Sequence, residues 1–237
     1  MASAIQQLEV SRAQTAPIPV RATAPQILRI NRYALRPETE SAMRNLQKQV
    51  AQALVQWGNP HPCVAIESMT GPKEVWCITG FQLALEQKQV AEKLEGNDVL
   101  RYALDRIEGQ IRVLTGNPAT LVATLQQGAH RGRSWMMGRG HYLVISVSTG
   151  TQELDGACYE TASGVRYAIT ATRTRKDADA RAAAAGPNAH VFAIRPTWGM
   201  PAREWVSADP EFWNASPVAK HGPPPTSQFR KFTTSRW

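Results

Sequence analysis

Met43, Leu46, Val50, Leu54 and Trp57 recur at steps of three and four residues, which sets them on one stripe of a helix. Pro37 stands where a first helical turn tolerates proline, and Glu38 and Glu40 suit the positive end of the helix dipole. Gly58 supplies the C-terminal stop. A helix with one apolar stripe needs a surface to bury it against, and the flanking text is β-prone. Ile27–Leu35 (ILRINRYAL) alternates, with Leu28 and Ile30 on one face and Arg29, Asn31 and Tyr33 on the other. Cys63–Ser68 and Glu74–Phe81 follow, joined across Gly71-Pro72 as a hairpin. A helical region at 83–112 breaks near Gly96-Asn97, where Asn97 or Asp98 can cap a second segment. Val99, Leu100, Ala103, Leu104 and Ile107 are expected on that segment's inner face, and Thr120–Leu125 closes the series. The order β-α-β-β-α-β predicts an α+β fold: a ferredoxin-like unit over 26–127, two helices covering one antiparallel sheet.

Residues 141–196 repeat this layout in reduced form. Tyr142–Ser148 stands for the opening strand, Cys158–Ser163 and Val165–Thr172 for the hairpin across Gly164, Asp177–Ala185 for the second helix and His190–Arg195 for the closing strand. Only about eight residues stand where the first helix belongs, so the expectation is a degenerate second copy. Residues 1–25, with Pro17, Pro19 and Pro25, read as a flexible arm, 128–140 as a basic Gly/Arg linker, and 197–237 as an extended tail.

Composition narrows the class. Hydrophobic residues make 43% and charged residues 19% of the 237, which suits a packed core and excludes wholesale disorder. Apolar stretches are too short to cross a bilayer, and the first residues do not read as a signal peptide. The odd set Cys63, Cys77 and Cys158 suits buried thiols in a reduced, cytoplasmic setting. No i, i+4 histidine pair or Cys/His cluster suggests a metal, and neither a P-loop nor a G-x-G-x-x-G run suggests a nucleotide, so no cofactor is expected.

The segments ILRINRYALRPE and VAIESMTGPKEVWCITGF carry a resemblance. A basic strand, a helix, the ES-x-TGP-x-E-x-W hairpin and a closing GF are similar to the dimeric α/β-barrel superfamily, within it to uncharacterised bacterial proteins related to antibiotic-biosynthesis monooxygenases. The likeness is good over 27–126, faint over 142–195, and touches neither end. It implies two ferredoxin-like sheets meeting face to face, from tandem copies or a homodimer, with a small-molecule pocket between sheet and helices. Haem-degrading members use an Asn, a Trp and a His. Asn31 matches the first, but Leu104 stands at the His position and Gln87 or Lys88 at the Trp position, so haem chemistry does not carry over. Cofactorless monooxygenation of the kind such members perform needs no fixed signature, and a cofactorless oxygenase or an isomerase-like enzyme is the expectation for a catalytic role.

Asn31 and Glu67 are the candidate catalytic residues, one to hold a substrate carbonyl and the other as general base. Arg29, Tyr33, His61 and Trp76 are the candidate ligand contacts. The plainer readings are a solvated strand edge for Arg29 and Asn31, a hairpin cap for Glu67, a loop histidine for His61 and core packing for Trp76. Two other functions compete with a small-molecule pocket protein. The run HRGRSWMMGRGH at 130–141, within a net charge of +8, could track a nucleic-acid backbone, though a linker reading is favoured. Alternatively the two chain ends could wrap a neighbour in a non-catalytic assembly.

Overall fold

The computed structural model describes residues 24–59, 61–126, 137–150 and 155–213. The basic run at 130–136, residues 1–23 and 214–237 lie outside it. Its first half holds β1 (Ile27–Ala34), α1 (Glu40–Trp57), β2 (Cys63–Ser68), β3 (Glu74–Phe81), α2 (Ala84–Glu95), α3 (Asp98–Thr115) and β4 (Ala119–Leu125). The second holds β5 (Tyr142–Ser148), β6 (Ala157–Thr161), β7 (Arg166–Thr172), α4 (Arg175–Ala185) and β8 (Ala189–Ile194), followed by α5 (Arg203–Ala208) and α6 (Pro210–Trp213). Local signals account for the ends of several elements. Gly58 closes α1 in the left-handed conformation at φ 72°, and its amide reaches back to the carbonyls of Leu54 and Val55. Asn97 caps α3 by accepting from the Leu100 amide.

The ferredoxin-like expectation is corrected at the level of the sheet. The strands do not form an open antiparallel sheet with a degenerate second sheet stacked on it. They form one closed barrel in the order β1-β3-β2-β8-β5-β7-β6-β4, with every pairing antiparallel. The two halves meet edge to edge, through β2 on β8 and β4 on β6, and not face to face. The dimeric α/β-barrel arrangement is corrected with it, because the eight strands of one chain complete the ring. The reason is backbone hydrogen bonding: two four-stranded sheets would leave four edges unpaired, and closure removes all of them.

Eight strands enclose a space that side chains can just fill. Leu28, Ile30, Val64, Ile66, Trp76 and Ile78 enter from the first half, and Leu143, Ile145, Tyr159, Tyr167, Ile169 and Phe192 from the second. The outer face of the first half carries the helices: Met43 and Leu46 of α1 and Ile107 and Ile111 of α3 pack on Tyr33, Ala65 and Val75. The alanine-rich α4 covers Val144, Ala189 and Val191. Val99, expected on the inner face of α3, is instead 83% exposed; the inner stripe runs Leu100, Leu104, Ile107, Ile111.

The lower end, where β1 and β2 begin, is stoppered by the chain beyond β8. Trp213 is buried in the barrel cluster, with Trp205, Val206 and Phe212 packed against that cluster. The Trp213 indole donates to the Gly138 carbonyl at 3.0 Å, and the Tyr159 hydroxyl donates to the Pro25 carbonyl at 3.0 Å. His141 stacks on Phe212 with ring centres 4.0 Å apart and sets Nε2 3.0 Å from Asp209 Oδ2, which Arg173 approaches at 3.4 Å.

Replacing Trp213 by alanine is expected to lower the unfolding free energy by roughly 3–5 kcal/mol, the usual cost of a large core deletion. Tyr102→Ala, at a 74% exposed position, should stay within about 0.5 kcal/mol of wild type in the same urea titration. The Asp209 carboxyl is held below its ordinary value of 3.8, first by the hydrogen bond with His141. A depressed folded value means stability present above pH 3.8 and lost as pH falls below it through the lower folded value. Asp209→Asn should therefore be less stable than wild type near neutrality, and the gap should shrink below about pH 4. A gap independent of pH would argue against this linkage.

Candidate functional site

Strand parity divides the residues selected from the sequence between two faces. Arg29, Asn31 and Tyr33 of β1 lie opposite Thr79, Cys77 and Val75 of β3, whose other partners on β2 are Cys63, Ala65 and Glu67. All of these point outward, toward the helix side, and Trp76 alone of the selected set points into the barrel. The structure does not bring Asn31 and Glu67 together, since β3 lies between their strands. Glu67 is committed to Arg195 across the β2–β8 seam, with Nε at 2.6 Å and Nη2 at 2.5 Å. Asn31 accepts from the Thr120 hydroxyl at 2.9 Å, and Arg29 is exposed. Tyr33 is buried, and that burial, more than the nearby Cys77 and Glu108, pushes its phenol far up. His61 sits in the loop before β2 with its ring 4.9 Å from Phe81, and burial lowers its pKa.

The upper end of the barrel, where β1 and β2 finish, gathers side chains that sequence reading passed over. Arg32 on β1 lies opposite Trp76 and diagonal to Glu74 on β3, with which it forms a bidentate pair, Nη2 lying 2.8 Å from Oε1 and 3.0 Å from Oε2, with Nε 3.3 Å from Oε2. The Trp76 indole donates to the same carboxylate at 2.5 Å, and the Arg32 guanidinium lies 4.6 Å from the indole centre. The Glu74 amide donates to the buried Ser68 hydroxyl at 2.9 Å, which fixes where the pair sits. Below it Trp76 meets Phe192 at 4.9 Å and, edge on, Tyr167 at 6.1 Å. β3 and β7 stand four places apart in the ring of eight, so Trp76 and Tyr167 meet across the barrel's full width. The Arg32 and Glu74 side chains keep 30% and 16% of their surface exposed, so this end is reached from solvent.

A separate polar feature lies under α1. Gln47 is 1% exposed, and its carbonyl accepts from the Cys77 thiol at 3.2 Å. Among the described residues, Gln47 Nε2 is the one sealed side-chain polar atom without a partner. The Cys77 thiol is pushed up by its hydrogen bond with Cys63 and by burial, so it stays protonated and able to donate. All three cysteines are free. An open groove of about 450 Å³ runs between α4 and the end of β7, lined by Thr172, Arg173, Asp177, Ala180, Arg181 and neighbouring alanines, and none of the selected residues reaches it. Among the described residues no group of three or more His, Cys, Asp or Glu is placed to hold a metal, and no helix is long and apolar enough to cross a membrane.

No family model matches the chain, and no curated protein does. Among solved structures it is similar to a provisionally assigned monooxygenase from Fusobacterium nucleatum subsp. nucleatum, at 8% identity and TM-score 0.47 over 73% of this chain and 92% of that one. An anthrone oxidase-like protein is similar at 10% identity and TM-score 0.48, over 74% and 94%. A provisionally assigned monooxygenase from Lactobacillus acidophilus NCFM is similar at 7% identity and TM-score 0.40, over 73% and 94%. Likenesses of this degree decide neither the fold nor the chemistry of this chain.

The partnerless Gln47 amide makes a stability test. A buried donor without an acceptor costs about 1–3 kcal/mol, whereas an isosteric apolar chain carries no such penalty. Gln47→Met is expected to raise the unfolding free energy by about 1 kcal/mol. A loss of similar size would mean that the bond from the Cys77 thiol to the Gln47 carbonyl outweighs the penalty of the partnerless amide.

Proposed function

We propose that the upper end of the barrel binds a small aromatic molecule. The observation that carries this reading is the convergence of three rings from β3, β7 and β8 beneath a guanidinium already stacked on one of them. Aromatic rings brought together across a barrel offer both a planar ligand's faces and edges complementary contacts. The ion pair above them supplies orientation, as the few polar groups of a small-molecule site do.

A narrower reading makes the chain a monooxygenase-like enzyme that uses dioxygen without a cofactor. Its support is the resemblance carried by residues 27–126, together with an apolar floor beside the Glu74 carboxylate, the one acceptor of this end able to take a proton. In such a step a base takes a proton from an acidic ring carbon, and the carbanion adds dioxygen. Loss of water then leaves a carbonyl where the methylene stood. The roles assigned from sequence to Asn31 and Glu67 have no support in the geometry, because Glu67 is spent on Arg195. The nucleic-acid and assembly readings draw on residues 130–141 and the chain ends, most of which lie outside the described residues.

Anthrone, whose methylene is acidic enough for a weak base, serves as probe. Saturable quenching of protein fluorescence is expected with wild type, weakened about tenfold or more in Phe192→Ala and in Tyr167→Leu, with both variants checked for cooperative unfolding. Equal titrations in all three proteins end the binding reading. If binding is seen but an oxygen electrode records no uptake above the uncatalysed rate, the site stands and the oxygenase reading fails.

A further inference from the structure

We infer that the ligand of the upper barrel end carries an acidic oxygen, a carboxylate or phenolate, and that Arg32 selects for it. This rests on the aromatic site proposed above and adds the chemistry of the group it prefers. Glu74 is largely spent, since Arg32 Nε, Arg32 Nη2 and the Trp76 indole all donate to its oxygens, three of the four contacts falling on Oε2. Ser68 Oγ already accepts from the Glu74 amide. Arg32 still has the two N–H bonds of Nη1, which engage no acceptor among the described residues. The Tyr167 hydroxyl likewise donates to nothing among the described residues, and it is not among the sealed polar atoms. The unspent capacity of this end is therefore mainly donor capacity, from an Arg on β1 and a phenol on β7, three places away round the ring.

A guanidinium has no acceptor to offer, so a ligand hydroxyl or amine gains little from Nη1, while an anionic oxygen gains a charge-assisted bond. Glu74 does not cancel this preference. It holds the fork rigid, so that little side-chain freedom remains to be lost when the ligand binds. The stacking of Arg32 on Trp76 keeps the guanidinium against the aromatic floor, its carbon 4.6 Å from the ring centre. A planar acid would thus turn its oxygen to Arg32 at the part-exposed rim, with the buried Phe192 and Tyr167 rings as the floor beneath it.

Benzoate and benzamide, alike in shape and different in charge, test the inference by isothermal titration at fixed ionic strength. Wild type is expected to favour benzoate at least tenfold, about 1.4 kcal/mol. Arg32→Gln should lose that preference while still binding benzamide, and Tyr167→Phe should reduce it. Lys176→Gln, on exposed α4, controls for the basic surface and should leave it unchanged. Equal binding of the two probes by wild type, or a preference that survives Arg32→Gln, overturns the inference and leaves the aromatic site standing. Binding of neither probe overturns the aromatic site itself.

Discussion

Two short seams hold this molecule in the shape on which everything else depends. β1 and β3 share eight register pairs, and β5 and β7 share seven, but β2 meets β8 over three and β4 meets β6 over three. The four-stranded halves are strongly made and the joints between them are lightly made. Without those joints four strand edges would face solvent, and the inner aromatics would lose the opposite wall that buries them. Side-chain bonds reinforce one seam. Glu67 and Arg195 bridge β2 and β8, and the Val191 amide on β8 donates to the Thr70 hydroxyl just past β2. A carboxylate that looked like a general base in the sequence is thus a structural clamp, and a buried one whose loss would strand Arg195.

Much of the local structure was legible because it is written in short-range periodicity. The 3.6-residue stripe of α1, the alternation of β1, the Gly-Pro hairpin and the Asn97 cap each depend on residues close in sequence. Closure was not legible. Parity shows that Leu28 and Ile30 share a face, but not whether that face meets a helix, a second sheet or a barrel interior. The same limit explains the site. Arg29, Asn31 and Tyr33 were chosen because polar residues on a strand of this kind could line a pocket beneath helices, and they do face that side. Arg32 shares parity with Leu28 and Ile30, a row where a charge looks out of place. Its partner Glu74 lies 42 residues away, and their adjacency exists only once β1 and β3 pair. A signal was available: an Arg and a Glu at the two ends of an otherwise apolar inward row, one finishing a strand and the other starting its neighbour. Tyr167 carried no such signal, since its meeting with Trp76 needs both halves in place.

Charge tells a similar story about place. Eight of the 27 Lys and Arg residues, and only two of the 19 acids, fall outside the described residues. The described barrel and its helices are therefore within two charges of neutrality, and the high isoelectric point belongs mostly to the other segments. Local pairing is the rule in the barrel: Arg32 with Glu74, Arg195 with Glu67, Arg173 with Asp209, Arg181 with Asp155. The basic composition consequently says little about the upper barrel end, where geometry and not net charge decides what can bind.

The two ends of the barrel solve the same problem with opposite chemistry. Both must keep water from the apolar interior. The lower end does it with Trp213, Met137 and Pro25, groups that gain by burial and have no reason to leave. The upper end does it with an ion pair that keeps part of its surface wet. An ion pair at that depth sits at an intermediate dielectric, so covering it strengthens its internal attraction but removes hydration from the free face of the guanidinium. A covering group that brings an oxygen replaces that hydration, and one that brings only carbon does not. The end closed by charge is for that reason the discriminating one, while the end closed by tryptophan serves as the floor against which it is held.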